Sequence, residues 1–282
     1  MRRTLPLLLK LAVSASLFAL IVSRVPLEEA VQRAQDAEPL YLLAALLLIL
    51  LGVVLVAVRW RLVAGWIGVA IPLSLAVRAL FLGFLGGQVL PSAIGGDFLR
   101  GWLLARHGAG LTRVVVSLVA DRLIGLFGVC LLLILTSPVV RQLPPPYASL
   151  LAPVAVLASG MVLAAFLLAN RARLRSAPLL AGVVIAILIH ALTVAVATLA
   201  AKAYGIDAPF EIWLSVIPLA VIAAAIPVSI NGWGVREAAI VLLAVPLGIP
   251  AAHALLVSMT LGVLNAIASL PGVAVMLSGR RG

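Results

Sequence analysis

The strongest constraint on this chain is a series of long apolar runs. Leu40–Val58 and Leu179–Ala201 contain no Asp, Glu, Lys or Arg, and Val114–Leu135 contains only the pair Asp121-Arg122. A run of about 18 or more apolar residues is long enough to cross a bilayer as a helix. Composition agrees, since 65% of the residues are hydrophobic and 10% charged, whereas a soluble domain carries roughly a quarter charged residues. Lipid is therefore the solvent. Backbone polar groups in lipid must be satisfied internally, which leaves helices or a closed barrel. Unbroken runs, rather than alternating ones, select helices.

The net charge of +11 does not indicate nucleic acid. The basic residues lie in short clusters between apolar runs, where the positive-inside bias places them. The single cysteine, Cys130, can form no disulfide within the chain, and His107, His190 and His253 are far apart in sequence. Zinc-ligand spacing, a P-loop and a dinucleotide fingerprint are absent, as are the common serine-nucleophile motifs. The expectation is a protein that is not an enzyme, with no metal, no cofactor and no nucleic-acid partner. Met1-Arg2-Arg3 before an apolar stretch mimics a signal peptide. Lys10 interrupts it and no convincing small-x-small cleavage site precedes Arg24, so a retained first helix is expected.

Spans are expected at Leu5–Val22, Leu40–Val58, Val114–Leu135, Leu150–Ala169, Leu179–Ala201 and Ala251–Leu277. Arg24–Glu38 reads as a polar, mildly amphipathic link. Arg59-Trp60-Arg61 reads as a basic and aromatic interfacial anchor, and Trp66, Trp102 and Trp213 as further anchors. Two other apolar runs break early. Leu73–Leu90 stops at Pro91-Ser92-Ala93-Ile94-Gly95-Gly96-Asp97, and Ile212–Ile226 stops at Pro227-Val228-Ser229-Ile230-Asn231-Gly232-Trp233-Gly234.

Those breaks align without gaps from Pro91 to Arg100 on Pro227 to Arg236, with Pro, Ile, Gly and Arg coinciding. If both are tips of re-entrant hairpins, the whole chain (1–282) is a single all-α, polytopic transmembrane domain of about six full spans plus two re-entrant hairpins. Its half-repeats would cover approximately 40–135 and 179–277, with tips at 90–100 and 226–236. With both termini cytoplasmic, Arg2, Arg3, Lys10, Arg59, Arg61, Arg106, Arg113, Arg171, Arg173, Arg175, Arg280 and Arg281 fall inside. Only Arg24, Arg33, Arg141 and Lys202 of the loop residues fall outside, which is the expected sign for a cell (inner or plasma) membrane protein. The hairpins then enter from opposite sides, making an inverted-topology repeat. Broken apolar segments in corresponding halves point to a transporter's binding site.

The acids Asp97, Asp121 and Glu237 lie in or beside the broken segments, as do Arg100, Arg122 and Arg236. Ionisable groups at membrane depth are costly and default to a functional reading. Their alternative role is structural, as ion pairs Asp97–Arg100, Asp121–Arg122 and Arg236–Glu237. A helix that begins inside the membrane has free N–H groups at a positive dipole end. Gly95, Gly96, Gly232 and Gly234 would let a ligand approach the backbone. Arg100 and Arg236 would add guanidinium forks suited to phosphate. Pro91 and Pro227 mark the tips, Asn231 and Trp233 line them, and Asp97, Ser229 and Asn231 are candidate helix caps. His190 reads as a packed, hydrogen-bonded residue, and Asn265 as interhelical glue.

The pattern Leu90-Pro91-Ser92…Gly95-Gly96-Asp97…Arg100, Asp121-Arg122, and Asn231-Gly232-Trp233-Gly234-Val235-Arg236-Glu237 resembles the lysylphosphatidylglycerol synthase transmembrane region, also called the flippase-like domain. The resemblance covers nearly the whole chain. It implies an integral module that moves lipids between leaflets, in some members joined to a domain that aminoacylates phosphatidylglycerol. That synthase activity is not carried over, because no such domain follows in these 282 residues.

Four readings follow. One is a flippase-like transporter of an anionic phospholipid or polyprenyl-phosphate-linked lipid, with phosphate at the two tips. Lacking an ATPase motif, it would be passive or gradient-driven, with Asp97, Asp121 and Glu237 as coupling acids. Another is a scaffold for a partner lipid-modifying enzyme, and homodimerisation is compatible with either. A third is an intramembrane enzyme, for which no nucleophile or metal cluster is visible. A small-solute or ion transporter is the fourth.

Overall fold

The computed structural model describes residues 12, 15, 16, 19, 20, 23, 25–90, 95–136, 160, 177–225, 229 and 231–278. Most of the expected spans Leu5–Val22 and Leu150–Ala169, and both tip prolines, Pro91 and Pro227, lie outside the described residues.

Every regular element among the described residues is helical. A short amphipathic helix, α1 (Leu27–Gln35), precedes α2 (Pro39–Trp66). Pro39 opens α2, where its missing N–H breaks no helical bond. Leucine and alanine then carry it far beyond Val58. It ends where Gly68 turns to φ 87°, and Val69 N–H closes on Ala64 O at 2.8 Å. Helices α3 (Leu73–Val89), α4 (Gly95–Arg106) and α5 (Leu111–Leu135) complete the first half.

The second half holds α6 (Ala177–Ala203), α7 (Phe210–Ala225), α8 (Val235–Ala244) and α9 (Ala251–Ser269), with α10 (Pro271–Ser278) after it. Among the described residues, four stretches are long and apolar enough to cross a membrane: Pro39–Trp66, Leu111–Leu135, Pro178–Ala203 and Ala251–Ser278. This is an all-α, polytopic membrane protein. By contrast α3, α4, α7 and α8 have 17, 12, 16 and 10 residues, short of the roughly 20 a spanning helix needs.

The short helices pack in pairs, α3 on α4 and α7 on α8. Glycine sets the closeness of the first pair. A Cβ on Gly96 would run into the Gly83 carbonyl, and one on Gly86 would meet Leu99 Cδ1 at 2.5 Å. Residues 83 and 86 thus face 96–100 and 95–99, an antiparallel arrangement.

The packing of the halves corresponds element by element. Helix α2 packs on α6, and also on α3, α5 and α9, while α6 packs on α7, α9 and α5. The remaining pairs are α4 with α5 and α8 with α9, then α3 with α9 and α7 with α5. Exchanging α2–α5 for α6–α9 maps every one of these pairs onto another. Alanines at the crossings, such as Ala186, Ala197 and Ala200, are fully buried, the close approach that lipid-embedded packing favours.

Two anchor readings are corrected. Arg59 and Trp60 are buried, and so is Trp213. The apolar sequence after Arg61 continues α2, which carries Arg59 and Trp60 into the bundle rather than to its edge. Trp213 packs among Ile217, Ile240 and Leu261. Outside the bundle, α1 seats on α9. His253 Nε2 lies 2.6 Å from Glu29 Oε1, and Arg33 Nη1 donates to Tyr204 O at 3.2 Å.

Candidate functional site

The first hairpin builds the charged half of the site. A Cβ on Gly83 would lie 2.6 Å from Arg100 Cγ and 2.8 Å from Cδ, so the missing side chain is the slot for the arginine stem. The Arg100 guanidinium donates from Nη1 to Asp97 Oδ1 at 3.1 Å and from Nη2 to Asp121 Oδ2 at 3.1 Å. Its face lies 4.3 Å from the centre of the Trp60 ring, within cation–π range. Arg100 Nε is buried without a hydrogen-bond partner.

Asp121 receives Arg59 Nε on its other oxygen at 2.8 Å. Asp97 receives Arg122 Nε on its other oxygen. The result is one alternating chain, Arg59–Asp121–Arg100–Asp97–Arg122, tying α2, α4 and α5 together. Three arginines against two aspartates leave one positive charge in excess. Trp60 is itself fixed by a 3.2 Å hydrogen bond to Ser117 Oγ.

The second tip is neutral and closed. Asn231 at φ 49° and Gly232 at φ 78° turn the chain in the left-handed region, tolerated best by Gly and Asn. Gly234 N–H donates to Glu237 Oε2 at 2.6 Å. Arg236 donates from Nε and Nη2 to Glu237 Oε1, at 3.0 and 2.5 Å, and Ser258 Oγ donates to the same oxygen at 3.4 Å. Arg236 lies 4.9 Å from the Trp233 ring centre. Gly262 of α9 makes room, since a Cβ there would sit 2.5 Å from Trp233 Cη2 and 2.6 Å from Arg236 Nη2.

A cavity of about 360 Å³ lies where the tips approach. Gly96, Asp97, Arg100, Arg122 and Asn231 line it, with Thr193 of α6 and Asn265 of α9. Its apolar wall comes from α2, α3 and α6, including Leu48, Val53, Phe84 and Ile189. Residues from both tips thus share one chamber. Gly95, Asp121, Gly232, Trp233, Gly234, Arg236 and Glu237 stand behind it rather than on its surface. Pro91 and Pro227 lie outside the described residues.

Several sequence expectations change. Asp121 pairs with Arg59 and Arg100 rather than with Arg122, and Arg122 pairs with Asp97. Adjacent residues on a helix point about 100° apart, so Asp121 and Arg122 reach different partners. Asp97 is no cap, because α4 already begins at Gly95. The second helix is capped at Gly234 with the Glu237 carboxylate on its N–H, not by Ser229 or Asn231. Asn265 donates to Leu261 O of its own helix at 2.7 Å and faces the cavity instead of gluing helices. Gly95 and Gly96 serve helix packing, since a Cβ on either meets Leu90 or the Gly83 backbone. His190 is hydrogen-bonded as expected, 3.0 Å from Gly125 O.

Arg59, Trp60 and Thr193 are site or supporting residues that the sequence reading did not single out as such. The signal for the first two was present, because Leu62-Val63-Ala64 keeps α2 apolar beyond them. Nothing in the sequence marks Thr193.

No curated protein matches the chain. The family model described as the lysylphosphatidylglycerol synthase TM region matches residues 7–272. The motifs at the two breaks and this match agree, and the chain belongs to the lysylphosphatidylglycerol synthase transmembrane-region family, membrane proteins of lipid handling.

Proposed function

We propose that this protein moves a lipid with a phosphate-containing headgroup between leaflets, holding the headgroup in the chamber between the two tips. The observation that carries this reading is the chamber's composition. Arg100 and Arg122 line it together with Asp97, Asn231 and Asn265, and the rest of the lining is mostly apolar. An anionic headgroup meets guanidinium donors there, while its chains meet apolar surface. The single excess positive charge of the cluster suits one added negative charge.

Alternation of access would use the two halves as counterparts, with the hairpins entering from opposite sides and both termini cytoplasmic. The element-by-element packing correspondence supports that arrangement. Arg236, locked by Glu237 and Trp233, is then the second-tip counterpart of Arg100, withheld from the chamber in this structure.

Gly52 provides the test. It lines the chamber, and a Cβ built on it meets nothing within 4 Å. Gly52→Leu therefore adds side-chain volume to the chamber at a position where the first added carbon meets no neighbour. In proteoliposomes containing fluorescent phosphatidylglycerol or polyprenyl phosphate, wild type should exchange lipid between leaflets and Gly52→Leu should not. Equal exchange by both would remove the chamber from the path, and no exchange by wild type would return weight to a scaffold or small-solute role.

A further inference from the structure

Asp97 is the only carboxylate on the chamber's lining among the described residues, and it occupies the place where an anionic ligand would bind. One oxygen accepts Arg100 Nη1 at 3.1 Å and the other accepts Arg122 Nε. A bidentate anion bridging two guanidinium groups is also how a phosphate would sit there.

The two aspartates of the cluster are not equivalent. Asp121 is 2% exposed at its side chain, away from the chamber, with Arg59 at 8% beside it. Asp97 is 14% exposed, and its partner Arg122 is 51% exposed. Asp121 therefore holds Arg59 and Arg100 in place from behind, while Asp97 meets Arg100 and Arg122 from the chamber side. An incoming anion can replace Asp97 on Arg122 without uncovering a buried charge, and cannot replace Asp121 that way.

We infer that Asp97 is a built-in competing anion, a displaceable carboxylate that a ligand phosphate exchanges with on Arg100 and Arg122. It weakens the bound state and, by returning to its arginines, speeds release. This rests on the reading of the chamber as an anion site and adds which residue sets its affinity and turnover. A carrier needs such a competitor, because a chamber that holds its cargo tightly releases it slowly.

Neutralising Asp97 raises the excess charge of the cluster from one to two. Asp97→Asn keeps the shape and an acceptor oxygen, and Asp97→Ser guards against an effect peculiar to the amide. The full chain is titrated in detergent with inorganic phosphate, and leaflet exchange of fluorescent phosphatidylglycerol is measured against its mole fraction in vesicles. Both variants should bind phosphate on the order of ten-fold more tightly than wild type. They should also half-saturate at a lower phosphatidylglycerol fraction and show a lower maximal rate, a split that a merely structural aspartate would not produce.

Wild type binding phosphate while folded variants bind it equally or more weakly would overturn the inference and leave the chamber reading intact. Phosphate binding by neither protein would overturn both. Tighter phosphate binding with no lipid movement by any protein would support the displaceable carboxylate, with free phosphate as the ligand and the lipid reading lost.

Discussion

Arg100 stacks on Trp60 with its guanidinium carbon 4.3 Å from the ring centre, so a cation–π contact joins the first hairpin to the long helix α2 beside the packing of α3 on α2. That ring also supplies the indole N–H held by Ser117.

Trp60→Leu should therefore destabilise the protein by about 2–4 kcal/mol through lost volume and lost cation–π attraction. Trp60→Phe keeps the ring face and forfeits the Ser117 bond, for a loss of about 1 kcal/mol. Denaturant unfolding in detergent, followed by circular dichroism, gives the two values. A Phe variant as unstable as the Leu variant would show that the ring face does not matter.

Asp121 neutralises two buried arginines. Asp121→Ala leaves both without that partner, and the expected loss is about 3–5 kcal/mol. Asp97→Ala should be milder, because Arg122 reaches solvent or headgroups. The same unfolding measurement ranks them, and the reverse order would contradict the division of labour between the aspartates.

Gly83→Ala and Gly96→Ala probe the same contact from its two sides. The added methyl at position 83 meets the Arg100 stem at 2.6 Å and the Gly96 carbonyl at 2.8 Å, whereas at position 96 it meets the Gly83 backbone first. Side chains yield more easily than backbone, so Gly96→Ala should be the worse, with losses of about 1–3 kcal/mol for such overpacking. Thermal melts of the purified variants settle the order.

Glu29 ties α1 to His253 of α9 at 2.6 Å and pairs with Arg33 of its own helix at 3.7 Å. Being partly exposed, these contacts are screened. Glu29→Ala should cost about 1 kcal/mol locally and speed amide exchange over 27–35 about five-fold, with α2 unchanged. Uniform exchange across both helices would mean that α1 is not held by this contact.

The membrane class and the two broken segments were legible in the sequence because they depend on run length and on Gly/Pro punctuation, both local properties. The partner choice within the charged cluster was not. Asp121-Arg122 and Arg236-Glu237 are neighbours in sequence, and only the second pair stays together, because Glu237 also caps its own helix at Gly234. Asp121 instead faces Arg59, 62 positions earlier, a pairing fixed by the crossing of α2 and α5. Trp213 misled for a related reason. Tryptophan near the start of an apolar helix suits an interface as well as a core, and only the packing of α6, α7 and α9 around it decides.

The contact between Gly83 and Gly96 also has a mechanical meaning. Backbone rests on backbone there, with no compliant side chain between to absorb a displacement. Helices α3 and α4 must then shift together as one stiff lever. Arg100 is fastened to that lever and, through Asp121, to α2 and α5. Any rocking of the hairpin is thereby delivered to a single guanidinium, the point where force and charge change hands.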